Sequence, residues 1–144
     1  MNTLRTAIPT WVRVVLGLGA AIHLATGAWA VLAPANWFDR FPGFGEPLVA
    51  ADPPFNAHLA SDTGAGFIAI GVLLLLAAIL GDRLVALVAC AVLFVYSAPH
   101  LVFHALHPAA NASTYGIVAG LVSIALAVLL PIVLVLSITL TKGD

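Results

Sequence analysis

Apolar residues fall into four long runs along the chain, separated by short polar or proline-containing breaks. The first run extends over about residues 9–33. Pro9 is placed to open it, because proline's missing N–H costs nothing in a first helical turn. Pro34 ends it. At about 1.5 Å per helical residue, roughly 25 residues cross a bilayer core of about 30 Å with some tilt. Ala28-Trp29-Ala30 loosely fits a signal-peptide cleavage pattern, but the run is long for a signal peptide and reads as a retained span.

The second run covers about 55–80 and the third about 83–107, with Gly81-Asp82 as a tight turn between them. Pro99 lies inside the third run, where it removes a backbone bond to Val95 and predicts a kink. Pro108 stops that helix. The fourth run covers about 111–140 with Pro131 inside, and Asn111 or Ser113 is placed to cap it.

The one long break, 34–54, mixes Trp37, Phe38, Phe41 and Phe44 with prolines and glycines. It reads as a loop on the membrane surface or folded over the helix ends, with Trp29 and Trp37 as interface anchors. The pattern therefore predicts an all-α, integral membrane four-helix bundle forming one domain over residues 1–144.

Composition agrees. Of 144 residues, 62% are hydrophobic and 8% charged, against roughly 25% charged in a soluble domain. Net charge is −1, and no basic patch suggests nucleic acid. Cys90, the single cysteine, is read as a small core hydrophobe.

Charge also sets orientation. Arg5, Arg13, Arg83 and Lys142 would share one side of the membrane and Arg40 the other. The positive-inside rule then places both termini and the Gly81-Asp82 turn inside, with the 34–54 loop outside. A bacterial cytoplasmic membrane is the expected location.

That topology sorts the polar residues. At the helical rise, His58 and His104 lie about 5 Å below the outer ends, Asp62 and His100 about 10 Å, and His23 about 15 Å. His107 sits at the rim. All five histidines thus fall in the outer half. His58 and Asp62 are four residues apart and share a helix face, as do His100 and His104. If the faces meet, His58 pairs with His104 and Asp62 with His100, with His23 approaching from below and Asn56, Ser61, Thr26, Ser97 and Tyr115 as supporting polar groups.

Ionisable groups inside spans are costly and default to functional candidates. His58, Asp62, His100 and His104 could hold zinc, copper or iron, since imidazole and carboxylate suit a mixed N/O site on facing helices. His58, His100, His104 and His23 could supply axial ligands to haem b, held non-covalently because no C-x-x-C-H motif is present. Proton handling by an Asp–His pair, in a proton-coupled transporter or channel subunit, is the main alternative. A structural or assembly role, with the histidines only tying helices together, is another. Gly116-x-x-x-Gly120 offers a small face for a homo-oligomer contact.

The motifs F-N-x-H-L-x-x-D-x-G (Phe55 to Gly64) and P-H-L-V-F-H-x-x-H (Pro99 to His107) resemble those of small four-helix membrane proteins of high-GC Gram-positive bacteria, broadly the DoxX-like group. The resemblance covers nearly the whole chain. It implies membrane redox chemistry involving quinones or sulfur compounds, with a membrane redox partner, and assigns no catalytic residue.

Overall fold

The computed structural model describes residues 7–140. Arg5 and Lys142, used above for orientation, lie outside that range. The described chain is helical, with four helices long and apolar enough to cross a membrane. They are α1 (Thr10–Leu32), α3 (Ala57–Leu80), α4 (Arg83–Leu106) and α5 (Thr114–Leu140). The protein is a multi-pass membrane bundle.

Each predicted span is present, and local chemistry sets its ends. Asn56 caps α3 by accepting from the Leu59 N–H at 3.1 Å, so it belongs to the backbone and not to a polar site. Asp82 caps α4 through the Leu84 and Val85 N–H groups, at 2.9 and 3.1 Å. Ser113 Oγ accepts from the Gly116 N–H at 3.1 Å and starts α5. Gly81 ends α3 at φ +63°, a left-handed turn that suits glycine.

One further helix was not read from the sequence. α2 (Pro34–Arg40) occupies the start of the long loop, with Pro34 in its first turn. Trp37, expected at the membrane interface, is instead buried at 5% exposure against Phe41. Trp29 donates its indole N–H to Asn36 at 2.9 Å and fixes α2 to α1.

Packing around the ring is uneven. α1 lies against α3, α3 against α4 and α4 against α5, but no comparable seam joins α5 to α1. The α1–α3 contact depends on glycine. A Cβ at Gly27 would stand 2.6 Å from the Gly64 carbonyl oxygen, and one at Gly64 would stand 2.9 Å from the Gly27 carbonyl oxygen and Ala30. Small residues let helix backbones approach where lipid offers no hydrophobic drive.

The half of the bundle near the Gly81-Asp82 turn, the turn end, is filled. Val12, Leu16, Leu74, Ala89, Cys90, Leu93, Leu134 and Ile138 form a buried apolar cluster there, with Cys90 a core side chain as read from sequence. Ile8 N–H bonds the Gly81 carbonyl at 3.0 Å. Arg13 donates to the Ala78 carbonyl through Nε at 2.8 Å and to the Ile79 carbonyl through Nη2 at 2.9 Å. It thus satisfies two carbonyls that the end of α3 leaves without helical partners. Arg13→Gln should lower the thermal midpoint in mild detergent, corresponding to about 1–2 kcal/mol. Arg13→Lys should restore it only in part, because a single ammonium nitrogen lacks the rigid planar fork that places Nε and Nη2 on separate carbonyls. Equal midpoints for wild type and Arg13→Gln would contradict this role.

Candidate functional site

At the opposite, loop end the helices diverge around a cavity of about 530 Å³. This lies in the range of sites for drug- or cofactor-sized molecules, roughly 300–1,000 Å³. α1 contributes His23, α3 contributes Thr63 and Phe67, and α4 contributes Tyr96, Ser97, His100, Phe103 and His104. The α5 wall is mostly apolar, with Ile117, Leu121, Ile124 and Ala127. Trp37, Phe41, Leu48 and Val49 roof it, with Asp52 beside them.

Five rings run in sequence along the cavity lining. His23 meets Phe67 edge-on at 5.6 Å between centroids, and Phe67 meets Tyr96 at 5.7 Å. Tyr96 stacks on His100 at 6.4 Å, and His100 meets His104 at 4.6 Å. The arc therefore carries imidazole at each end and aromatic carbon between. Four-residue spacing puts Tyr96, His100 and His104 on one face of α4; Tyr96 was missed in the sequence because only the histidines were followed along that face.

His23 has a defined orientation. Its Nδ1 lies 2.8 Å from the Gly19 carbonyl oxygen. A carbonyl only accepts, so Nδ1 carries a proton, and in the neutral ring Nε2 keeps its lone pair. A ring held this way presents Nε2 to a hydroxyl donor or a metal.

His58 and Asp62 stand elsewhere. They do share a face, with His58 Nε2 3.4 Å from Asp62 Oδ2, but their side chains are 83% and 63% exposed. Neither lines the cavity. The expected layers, His58 with His104 and Asp62 with His100, do not form. The reason is the rotation of α3. Ala60 and Gly64 must face α1, where both are buried, and at about 100° per residue His58 and Asp62 then point roughly 160° away. Among the described residues, no three His, Cys, Asp or Glu side chains are placed to hold one metal ion. Of the supporting polar groups, Ser97 lines the cavity, while Tyr115 is exposed. His107 bonds the Phe103 carbonyl at 3.0 Å and stacks on Phe103 at the rim.

Of Gly116 and Gly120, the face expected to offer an oligomer contact, one meets the loop of this chain and the other the cavity. Gly116 is buried, and a Cβ there would stand 2.7 Å from Glu46 Oε2; Gly120 lines the cavity.

Glu46 ties the roof down. Its Oε1 accepts from the Ser113 N–H at 2.8 Å and its Oε2 accepts from the Ser113 hydroxyl. Asn111 N–H adds a bond to the Ala51 carbonyl at 3.4 Å. The Ser113 hydroxyl and then its N–H hold the Glu46 carboxyl below its ordinary pKa. A depressed folded-state pKa stabilises the fold above the unfolded value and loses that effect as pH falls through the folded value. The Ser113 amide should therefore be protected from hydrogen exchange at neutral pH and lose protection below the usual carboxylate range. Glu46→Ala should show the fast exchange throughout; unchanged protection in that variant would show that the tie does not hold the roof.

Comparison of the chain with family models, with curated proteins and with solved structures gives no match.

Proposed function

We propose that this protein is a membrane redox component that holds a planar, lipid-soluble ring molecule along the His23–Phe67–Tyr96–His100–His104 arc. The arc carries the proposal, because it places hydrogen-bonding nitrogens at both ends of an aromatic surface inside one cavity. Phe67 and Tyr96 offer faces and edges for ring packing. His23 Nε2 accepts a hydrogen bond from a hydroxyl at one end, and His100 or His104 meets an oxygen at the other. A quinone–hydroquinone pair matches this pattern, and the DoxX-like resemblance supports the same class.

Haem b is the second reading, favoured by the His23 orientation. Coordinating imidazoles bond through one nitrogen while the other donates to a carbonyl. Haem supplies four equatorial nitrogens itself, so it needs only axial imidazole and no cluster of three side chains. A bare zinc, copper or iron ion on His58, Asp62, His100 and His104 is less well matched, since the cavity collects only the last two. The proton-conducting alternative is disfavoured by the apolar cluster that fills the turn end. The orientation is read from basic-residue placement, and a bacterial cytoplasmic membrane is what the DoxX-like resemblance implies.

Titration tests the proposal. Detergent-purified protein should bind one equivalent of a short-tailed quinone or of haem b, reported by tryptophan quenching and by a Soret shift respectively. No saturable binding of either would overturn it.

A further inference from the structure

The roof and the helix seams of the cavity differ in a way that bears on how a ligand reaches it. Toward the aqueous side, α2 and the following loop cover the cavity. Trp37, Phe41, Leu48 and Val49 lie on it, and Glu46 fastens the loop to the start of α5. Three of the four helix seams are packed, and the α5–α1 seam is the exception. In the loop-end half, α1 gives the cavity His23, whereas α5 lines it from Gly116 to Ala127. A Cβ built at Gly120 meets nothing within 4 Å, so this stretch of α5 faces open space. Leu18 and Ile22 on α1, and Val118, Val122 and Leu126 on α5, are exposed apolar side chains. In a membrane they lie against lipid. α2 and the loop thus lie over the cavity on the aqueous side, with the exposed Asp52 at its edge, and the α5–α1 seam is the unpacked side of the bundle.

We propose that the cavity takes its occupant from the loop-end leaflet, laterally through the α5–α1 seam. The occupant is then an amphiphile with two parts: a ring-bearing polar end that reaches the imidazoles and a hydrocarbon tail. The tail lies along Ile117, Leu121 and Ile124 and leaves through the seam into the leaflet. This inference rests on the cavity being the binding site, and it adds the source of the ligand and the need for a tail. It involves no covalent step.

Photolabelling tests the seam with no cofactor present. The full-length protein is reconstituted in phosphatidylcholine vesicles in which a fraction of the lipid carries a diazirine on its acyl chain. After illumination, labelled residues are located by mass spectrometry. Wild type should carry label on Leu121 and Ile124 as well as on lipid-facing Val118, Val122 and Leu126. Gly120→Phe, which places a ring in the open space, should lose the Leu121 and Ile124 labels and keep the other three. Ala127→Phe should do the same from the cavity floor, and it decides the matter if Gly120→Phe also loses its lipid-facing labels through misfolding. Label confined to the lipid-facing residues in wild type would overturn the proposal. So would cavity labels that persist in a folded plugged variant, or cavity labelling by a water-soluble diazirine where the lipid probe gives none. A closed seam in a protein that still binds quinone or haem would refute lateral access alone. An open seam in a protein that binds neither would refute the redox reading alone.

Discussion

His23→Ala and His100→Ala are each expected to weaken binding of the ring molecule by about 10- to 100-fold, whereas His58→Ala and Asp62→Asn leave it unchanged. The contrast separates side chains that line the cavity from side chains that do not. Removing one partner of a desolvated hydrogen bond leaves the other unsatisfied, at a cost of about 1–3 kcal/mol. His23 and His100 stand in the ring arc, so each removes a polar end from the site. His58 and Asp62 stand 3.4 Å apart on the outer face of α3, outside the cavity lining, so their removal takes nothing from the site. Equilibrium titration with a short-tailed quinone reads all four variants. Equal loss in His58→Ala and His23→Ala would show that the two-layer site drawn from sequence is the working one. If haem b is the ligand, His23→Ala should cost more than about 100-fold, because losing a ligand exceeds the loss of its supporting partner.

Gly27→Leu is expected to cause the largest loss of stability in the chain, at least about 3 kcal/mol. The Cβ would stand 2.6 Å from the Gly64 carbonyl oxygen and 2.9 Å from the Ile68 nitrogen. These are backbone atoms of a facing helix, and neither can swing aside as a flexible side chain does. Relief requires α1 and α3 to separate, which also pulls on the Gly71–Leu24 contact two turns along, where a Cβ would stand 2.8 Å from Leu24 Cγ. Overpacking a tight interface costs about 1–3 kcal/mol when side chains can adjust, and a backbone collision lies at the upper end or beyond. Thermal unfolding in mild detergent reads the effect. Gly120→Ala is the control, since its Cβ meets nothing, and its midpoint should match or exceed wild type. A Gly27→Leu midpoint near wild type would mean that α1 and α3 do not pack as closely as described.

These two predictions mark what the sequence revealed and what it concealed. Hydropathy fixed the spans, because a helix must bury its backbone polar groups to cross lipid. Ser113, one of two caps offered by the sequence, starts α5, and the Gly81-Asp82 turn marked the start of α4, where Asp82 is also the cap. Four-residue spacing correctly put His58 with Asp62 and His100 with His104. It could not say which way each face turns. For α3 the answer came from Ala60 and Gly64 seeking α1, a packing preference that competes with the wish to bring a carboxylate inward. Tyr96 and Phe67 complete the arc but carry no sequence signal beyond their helical register with His100 and Thr63. Glu46 carried no signal in the sequence, because its partner Ser113 is 67 residues away and no local spacing links them. α2 was hidden because Pro34, its starting residue, also looked like the end of α1.

The central claim is that the cavity holds a planar redox molecule between its imidazoles. The most direct measurement is an absorption spectrum, with elemental analysis and mass spectrometry of the organic extract, on gently purified wild type beside the His100→Ala/His104→Ala double variant. The account predicts a near-stoichiometric quinone or haem in wild type that is absent from the double variant. A wild type that purifies empty and takes up neither added quinone nor haem b would contradict it, as would a ligand retained in full by the double variant.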